Sequence, residues 1–436
     1  MQEKQNKTAL VWFRNDLRVE DNITLLTAIR KHKWVVACYC FEPVKFKSSE
    51  FGFKKTEKYR AKFLIETIKE LRISLKKINI ELFVFFEKPQ TAIQQLVFSQ
   101  NCNAVYYQKE WTTEETLVTN KVKKALPKSI SFHSFYDQFL YHPEDMEISF
   151  SNIPSIFTNF RKYVEKNITV RCIEDIIPAE RIKFLINTTP IPTLQDLGFK
   201  FFETHINSAF PFKGGEINAS KRLNYYFFET KKIGFYKKTR NGLVGKDFSS
   251  KFSPWLANGS ISARTIFWKV KQFEKDYFKN ESTYWLIFEL IWRDYFKYIA
   301  LKHHNDIFKI SGILNKDLKW NDDKNLVFKW INGETNSSFV NANMLELKKT
   351  GWMSNRGRQN AASYFAKELL LDWRIGASYF ESLLLDYDVH SNYGNWMYVS
   401  GVGNDPRDRK FNVNLQAERY DANKKFQKMW LQETLF

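Results

Sequence analysis

The sequence predicts an α/β N-terminal domain with a doubly wound parallel sheet, joined by a long linker to an all-α C-terminal domain. Three observations predict this fold: the length of 436 residues, strand-like and helix-like segments that alternate before residue 135, and helix-like segments in succession after residue 195. A chain of this length exceeds what one hydrophobic core usually serves. We therefore expect an α/β domain over 1–135, an interdomain linker over 136–195 and a helical domain over 196–436.

The first domain is predicted from short apolar segments separated by longer amphipathic ones. The strand-like segments, rich in β-branched and aromatic residues, cover 8–13, 34–41, 80–86 and 104–108. Apolar residues recur at helical spacing over 22–31, 58–77 and 91–99. This alternation indicates βαβ units and a parallel sheet. Such a sheet binds ligands beyond the carboxyl ends of its strands, so the loops at 14–18 and 110–115 are candidate site loops, although no Gly-x-Gly-x-x-Gly motif is present.

The linker and the second domain follow from a change in periodicity. Regular spacing weakens between residues 136 and 195, where prolines stand at 143, 154, 178, 190 and 192, as expected of a long connection. Strand signals then nearly vanish. Helices are predicted over 215–231, 262–279, 283–303, 337–349, 356–372 and 375–385.

Charge and cysteine content limit the class of protein. The 67 Lys and Arg against 48 Asp and Glu give a net charge of +19, which favours a polyanionic partner, nucleic acid before an anionic membrane. A lysine-rich surface from a compositionally biased genome would give the same balance. Four cysteines without Cys-x-x-Cys spacing indicate no disulfide framework, and Cys38 and Cys40 should share one strand face. With no secretory signal or spanning apolar run, we expect a soluble cytoplasmic protein.

The stretch 351–409 carries the polar residues that are hardest to explain as structure. Two tryptophans flank an acidic triplet that an asparagine follows, namely Trp373, Trp396, Asp386, Tyr387, Asp388 and Asn392. Buried polar groups at this density are costly unless a ligand satisfies them, and this mixture suits a flavin. On charge alone, Arg358 could pair with Asp386 and leave Asp388 free to hydrogen-bond a ligand.

Three further segments are candidate sites. The serines and lysine of 249–253 precede a helix expected to begin at Pro254, where they could bind phosphate, or a serine could simply cap the helix. On the helix predicted over 283–303, one face should carry Glu289, Trp292, Arg293 and Phe296. That face suits a planar heterocycle; a surface ion pair beside a core tryptophan is the alternative. The arginines and amides of 355–360 suit an anionic or heterocyclic partner, or a solvated helix start.

Together these motifs resemble the photolyase/cryptochrome family, and in detail its cryptochrome-DASH branch. The resemblance runs over nearly the whole chain, through 11–18, 249–256 and 289–296, and is strongest over 350–360 and 372–409. It implies an α/β domain joined by a long linker to a helical domain that holds FAD. The DASH branch is indicated by Gln359, Tyr398 and the string Asn-Arg-Gly-Arg-Gln-Asn, because ordinary cyclobutane-dimer photolyases usually have methionine and tryptophan at the first two positions.

The resemblance implies roles for individual residues. The FAD phosphates and ribityl chain would be held by Tyr236, Ser249, Ser250, Lys251, Phe252 and Ser253. The flavin ring would be faced by Asp386, Tyr387 and Asp388, with Asn392 beside N5 and Arg358 paired with Asp386. The electron-transfer tryptophans would be Trp320, Trp373 and Trp396. The lesion and DNA would be contacted by Glu289, Trp292, Asn355, Arg356, Gln359 and Tyr398. Glu110 matches a position that contacts a 5,10-methenyltetrahydrofolate antenna.

The implied protein is a monomeric, blue-light-dependent FAD flavoprotein that binds UV-damaged DNA. It would split cyclobutane pyrimidine dimers by electron transfer from reduced flavin, preferentially in single-stranded or locally open DNA. A signalling photoreceptor with little repair activity is the main alternative, against which the lack of a long tail after Phe436 argues mildly. Repair of (6-4) photoproducts, which His390 would suit, is disfavoured by Gln359. The family's glycine, proline and aspartate are replaced at Asn336, Ser338 and Asn341, which bears on that loop's geometry.

Overall fold

The computed structural model describes residues 5–180 and 187–432, and its first part is built on one five-stranded sheet. The strands are parallel in the order β3-β2-β1-β4-β5, which confirms the predicted doubly wound sheet. Their bounds are β1 Gln5–Phe13, β2 His32–Cys40, β3 Leu82–Phe85, β4 Cys102–Gln108 and β5 Ser131–Phe135. Because the chain winds outward from β1 in one direction and then continues from β4 in the other, a crevice opens beyond the carboxyl ends of β1 and β4.

Helices cover both faces of the sheet. They are α1 Ile23–Lys31, α2 Lys58–Lys77, α3 Pro89–Ser99 and α4 Thr113–Ala125. Successive residues of a strand point to opposite faces, so Val11 packs in the core beneath α1 and α2, whereas Trp12 packs in the core beneath α3 and α4. Cys38 and Cys40 both lie in the second core, which confirms that they share a face.

Two elements of this domain, β5 and α4, were not predicted. Strand β5 lies at the sheet edge and none of its residues is fully buried, so it lacks apolar alternation. Helix α4 buries only Val122 and therefore shows no apolar stripe. Both elements depend on neighbours in the sheet rather than on a strong local pattern.

The predicted linker contains a helix, α5 Phe157–Asn167, where no sustained periodicity was expected. Its buried residues Phe157, Phe160 and Val164 recur at helical spacing, so the signal was present but short. Part of the predicted linker, residues 181–186, lies outside the described residues. Helix α5 packs its aromatic face against the long central helix of the second domain.

The described residues after 195 form helices and connecting loops, with no strand beyond the isolated bridge between Asn321 and Leu371, so this domain is all-α as predicted. Its helices are α6 Glu216–Asn224, α7 Tyr236–Thr239, α8 Ser253–Asn258, α9 Ala263–Asp276, α10 Glu281–His303, α11 Lys324–Asn332, α12 Ser338–Thr350, α13 Asn355–Ser363, α14 Trp373–Leu383, α15 Val389–Ser400, α16 Val413–Tyr420 and α17 Lys425–Leu431. Single π turns extend α6 and α13 over Tyr225–Glu229 and Tyr364–Glu368. Within 5–180 and 187–432, no helix is long and apolar enough to cross a membrane.

Not every helix was predicted from the sequence. Helices α7, α11, α15, α16 and α17 were missed, and α15 is the most important of them for function. It is built largely from asparagine, serine, glycine and histidine, which are weak helix formers. Its packing against α10 and α14 and the cap at Asp388 hold it instead.

Buried ion pairs lock the two domains together. Arg18 Nη2 lies 2.7 Å from Asp137 Oδ2, and Arg264 Nη2 lies 2.7 Å from Asp137 Oδ1. Gly259 packs against the loop after β1 with φ +76°, and a Cβ atom there would stand 2.0 Å from the Asn15 carbonyl oxygen. These contacts hold the loop at 14–18, a candidate site loop, against the helical domain.

Candidate cofactor and substrate site

A cavity of about 510 Å³, which includes space open to solvent, lies between α13, α14 and α15. The residues predicted from the sequence that line it are Asn355, Arg358, Gln359, Asp386, Tyr387, Asp388, Asn392 and Trp396. Among the described residues, its lining does not include Tyr236, 249–253, Glu289, Trp292, Trp320, Arg356, Trp373 or Tyr398. The cavity therefore brings together the acidic triplet, the asparagine and the arginine-rich helix start, and the other candidates lie around it.

The ion pair expected between Arg358 and Asp386 is present. Arg358 Nη2 donates to both carboxylate oxygens of Asp386 at 2.9 Å, and its Nε donates to the carbonyl oxygen of Met353 at 2.9 Å. Asp386 is 8% exposed, so its charge is compensated mainly by this guanidinium. The pair joins the start of α13 to the triplet before α15.

Asp388 is not free, contrary to our expectation. Its Oδ1 accepts from Lys297 Nζ at 3.1 Å and lies 3.3 Å from His390 Nδ1. Its Oδ2 accepts from both the backbone N–H and the hydroxyl of Ser391, which caps α15. Burial alone would raise the pKa of Asp388, but Lys297 and His390 hold that pKa well below its usual range. The error arose because Lys297 lies on α10, 91 residues away in the sequence.

Two buried polar atoms of residues that line the cavity, Gln359 Oε1 and Trp396 Nε1, have no partner among the described protein groups. Asn392, by contrast, donates from Nδ2 to the Ala377 carbonyl oxygen at 3.0 Å. Buried donors and acceptors are nearly always hydrogen-bonded in folded proteins. A polar, planar ligand in the cavity would satisfy them.

The segment 249–253 is held in place by Arg222, which the sequence did not single out. Arg222 donates to the carbonyl oxygens of Ser249, Ser250 and Lys246 at 3.0–3.1 Å. Helix α8 begins at Ser253, and the preceding Phe252 makes no side-chain capping bond, so the serine-cap interpretation is wrong. Phe252 is buried in the core, as is Tyr236.

Lys251 connects this segment to the cavity. Its backbone has φ +63°, a conformation that a lysine rarely adopts, and its side chain is 4% exposed. Lys251 Nζ lies 4.7 Å and the Arg358 guanidinium 5.6 Å from the ring centre of Trp352. Burial lowers the pKa of Lys251 to about 8, which attraction by buried Glu346 partly opposes. Lys251 and Arg358 thus lie against the same Trp352 ring, which places the segment 249–253 close to a residue that lines the cavity.

The predicted lesion residues on α10 form a separate group. Glu289 is paired with Arg240, which follows α7, so its ion pair is made with another segment and not along the surface of its own helix. Trp292 stacks on Phe157 at a ring-centre distance of 3.6 Å and contacts Tyr398 edge-on at 5.9 Å. Tyr398 accepts a hydrogen bond from Arg409 Nη2 at 2.7 Å. Glu289, Trp292 and Tyr398 thus lie in a partly exposed aromatic and charged region beside α10.

Two arginines near these residues lie elsewhere than expected. Arg293 was expected on the face of Glu289, but its guanidinium donates to the carbonyl oxygens of Gln138 and Leu256 at the domain interface. Arg356 donates to Gln416 and Asn241 at 3.3 and 3.4 Å. Arg356 is therefore anchored to α16 and the α7 region rather than to the cavity.

The three predicted electron-transfer tryptophans lie on α14, on α15 and beside the segment that precedes α14. Trp396 lines the cavity, and a Cβ atom on Gly376 would stand 2.2 Å from its ring, so α14 and α15 touch there. Trp373, at the start of α14, is fully buried and donates from Nε1 to the Ile310 carbonyl oxygen at 3.0 Å. Trp320 is half-buried beside the backbone bridge that joins Asn321 to the segment before Trp373.

The loop that departs from the family pattern is closed by one of the substituted residues. Asn341 accepts from the Thr335 N–H at 2.9 Å and from its hydroxyl at 2.6 Å, and donates to its carbonyl oxygen at 2.8 Å. An aspartate could accept both bonds but could not donate the third. The amide therefore supports a closed loop here without the usual aspartate.

A second, larger cavity lies in the predicted crevice beyond β1 and β4. Both domains contribute polar residues to its lining, including Asn15, Gln108, Glu110, Gln138, Lys297 and His390. Glu110 accepts from Gln108 Nε2 at 2.8 Å. Tyr387 and Asp388 line both cavities, so the acidic triplet forms the wall between them.

Comparisons with known proteins agree with this architecture. Residues 9–180 match the family described as DNA photolyase, and residues 285–435 match the family described as FAD binding domain of DNA photolyase. Cryptochrome DASH of Gloeobacter violaceus is 45% identical over 432 residues, covering 98% of this chain and 86% of the relative. The chain belongs to the photolyase/cryptochrome family.

Other members of this family extend the comparison. Cryptochrome DASH of Xenopus laevis is 43% identical over 98% of this chain and 83% of its own length. The crystal structure of a Synechocystis cryptochrome is 42% identical, with a TM-score of 0.93 over 99% of this chain and 90% of that chain. The helical part is therefore an FAD-binding domain of the photolyase type. The buried cation Lys251 suits the diphosphate of that cofactor, and the unpartnered polar atoms of residues that line the cavity suit its ring.

Proposed function

We propose that the protein is a light-dependent DNA photolyase of the cryptochrome-DASH type, which splits cyclobutane pyrimidine dimers in single-stranded or locally open DNA. The observation that carries this proposal is the helical-domain cavity, whose unpartnered Gln359 and Trp396 atoms lie beside the Arg358–Asp386 pair. Membership of a family with an FAD-binding domain supports the choice of FAD as the occupant.

Residues of two segments would hold FAD. Lys251 and the backbone of 249–253, fixed by Arg222, would bind the diphosphate through charge and free amides. The Arg358–Asp386 pair and Asn392 would contact the flavin ring, with Tyr387 and Asp388 supporting it from the wall side. When bound and reduced, FAD supplies the light-driven electron that repair requires.

Glu289, Trp292 and Tyr398 would receive the damaged base. The Glu289 carboxylate would accept a hydrogen bond from an N–H of the damaged base and fix its orientation, while the indole of Trp292 packs against its faces. Arg240 would hold the Glu289 side chain in place until the dimer arrives. Asn355, Arg356 and Gln359 would line the approach, and Tyr398 in place of a tryptophan makes the pocket more polar. A polar pocket holds a flipped dimer less firmly, which favours strands that are already open.

DNA and an antenna chromophore are the proposed partners. The net charge of +19 supports binding to the phosphate backbone by a monomer, with affinity that falls steeply as salt rises. The interdomain cavity would hold 5,10-methenyltetrahydrofolate, with Glu110 as a hydrogen-bond acceptor and Lys297 as a cation on the opposite wall. The antenna would lie against the wall formed by Tyr387 and Asp388, so it would transfer the energy of an absorbed photon to the flavin over a short distance.

The test combines spectroscopy with repair. Purified protein should show oxidised flavin absorption, and under blue light with a reductant it should remove dimers from a single-stranded oligonucleotide. Duplex containing a short mismatched bubble should be repaired better than intact duplex. Flavin absorption with surviving dimers in every strand context would replace repair with a photoreceptor function. Protein that cannot be reconstituted with FAD would contradict the proposal itself.

FAD affinity should fall as pH rises above about 8. Below the lowered pKa of Lys251 the free protein already carries the charge, whereas above it the anionic diphosphate must draw a proton onto the amine. The affinity should then decrease by up to about tenfold per pH unit. Fluorescence titration of apoprotein with FAD measures this. Lys251→Met should remove the dependence, and exposed Lys246→Met should retain it. A pH-independent affinity in the unmodified protein would contradict the role of Lys251.

Glu289→Gln should lower the repair rate while leaving the flavin spectrum unchanged. The amide keeps the shape of the side chain but replaces one acceptor oxygen by an NH2 donor, and the hydrogen bond lost to the base N–H is worth roughly 1–1.5 kcal/mol, or about tenfold in rate. Single-turnover repair of a single-stranded substrate by the reduced protein measures the effect. Glu281→Gln, on the exposed start of the same helix, is the matched control. Equal repair by both variants would exclude Glu289 from the pocket.

A further inference from the structure

Trp396 contacts aromatic rings that are not part of the predicted chain of electron-transfer tryptophans. Among the described residues, Trp396 contacts the rings of Phe380, Phe365 and Trp330 at centre distances of 5.1, 5.9 and 6.2 Å. Of these three partners, only Trp330 has a readily oxidised side chain. It meets Trp396 edge-on, at an interplanar angle of 71°.

Trp330 lies on α11 and is fully buried. Its Nε1 donates to the Ala361 carbonyl oxygen at 3.1 Å, which stabilises positive charge on the indole without offering a base that could take its proton. Beyond it, Tyr379 contacts the Trp330 ring at 5.8 Å and is 6% exposed. Trp396, Trp330 and Tyr379 therefore form a continuous row of oxidisable rings.

Electron tunnelling slows exponentially with distance, so rings in direct contact exchange electrons fastest. An electron that Trp396 yields to photoexcited, oxidised flavin leaves a radical cation on Trp396. Trp330 is placed to refill it through ring contact, in parallel with Trp373, the donor that the family resemblance implies.

We propose that Trp330 is a second electron donor to Trp396, parallel to Trp373, an inference that rests on the proposed light-driven flavin chemistry. One electron passes from Trp330 to the Trp396 radical cation, and the Trp330 proton stays on Nε1. Tyr379 then supplies an electron to Trp330 and releases its phenolic proton to water. An external thiol then donates a hydrogen atom to the tyrosyl radical and becomes a thiyl radical, so the row ends neutral and one electron has entered the flavin.

The test compares three variants: Trp373→Phe, Trp330→Phe and the double variant. Flavin photoreduction with a thiol under blue light is followed together with transient absorption of tryptophan and tyrosine radicals. We expect Trp373→Phe to retain part of the photoreduction and the double variant to lose that remainder, reaching the level of Trp396→Phe. FAD content and helical circular dichroism should be equal in all variants.

A structural role for Trp330 is separated from a redox role by Trp330→Tyr in the Trp373→Phe background. Tyrosine is oxidisable and should restore the photoreduction that phenylalanine abolishes, whereas Tyr379→Phe should shorten the radical signal and remove the tyrosyl spectrum. Photoreduction that is the same in Trp373→Phe and in the double variant would overturn the inference. Unmodified protein that binds FAD but is not photoreduced at all would instead contradict the proposed function.

Discussion

Asp386→Ala should cost the protein most of its FAD. Asp386 is 8% exposed and holds the Arg358 guanidinium through two bonds of 2.9 Å at the edge of the cavity. Its removal leaves a partly buried cation that must turn away to find water. Breaking one partner of a buried pair costs about 3–5 kcal/mol. Because the Arg358 side chain is 24% exposed, we expect the lower end, about 3 kcal/mol, or roughly a hundredfold weaker FAD binding.

The measurement is the FAD content of purified protein together with titration of apoprotein. Asp386→Asn should give an intermediate result, because the amide oxygen still accepts one bond from Arg358 while the charge is lost. Asp306→Ala removes the acid of an exposed surface pair with Lys309 and is the control. Full FAD occupancy in Asp386→Ala would show that the ion pair does not shape the cofactor site.

Lys297→Met should destabilise the helical domain more than the same replacement at Lys302, the other lysine on α10. The side chains of Lys297 and Asp388 are 5% and 14% exposed and lie 3.1 Å apart. Methionine fills the same volume but leaves the Asp388 carboxylate buried beside His390, at a cost of about 3 kcal/mol. Asp388 also caps α15, which carries Asn392 and Trp396. FAD retention should therefore fall with stability.

The effect of Lys297→Met should depend on pH. In the unmodified protein the depressed pKa of Asp388 stabilises the fold above the ordinary carboxyl range, and this stabilisation is lost as pH falls through the folded-state pKa. In the variant the pKa of Asp388 should rise, so the stability deficit is largest at mildly alkaline pH and shrinks as Asp388 becomes protonated. Thermal unfolding across this range tests it, with Lys309→Met as the control. A deficit independent of pH would mean that lost packing, not charge, is the cause.

The fold was predictable where one element carries its own apolar pattern. Helix α2 was predicted with its observed bounds because its buried residues recur along one face. Strand β5 and helix α4 were missed because they bury little, and α15 was missed because its polar residues serve the cavity rather than a core. Elements that depend on neighbours or on a ligand leave a weak local signal.

The pairing of the site residues was likewise predictable only in part. Arg358 and Asp386 were predicted to pair because both lie within the dense polar stretch, and the structure joins them. The partners of Glu289 and Asp388 were not predicted, because Arg240 and Lys297 stand 49 and 91 residues away. Arg222, which fixes the segment 249–253, was also missed for this reason.

The sequence by itself determined the two-domain α/β and helical architecture, the family and the set of residues from which the site is built, because periodicity and motif spacing are local properties of the chain. Only the tertiary structure decided which charges neutralise one another. In the folded chain Asp388 pairs with Lys297, Arg293 donates hydrogen bonds at the domain interface, and the ring of Trp330 contacts the ring of Trp396. Electrostatic and ring contacts depend on distance in space, and helices far apart in sequence meet only once the chain is folded.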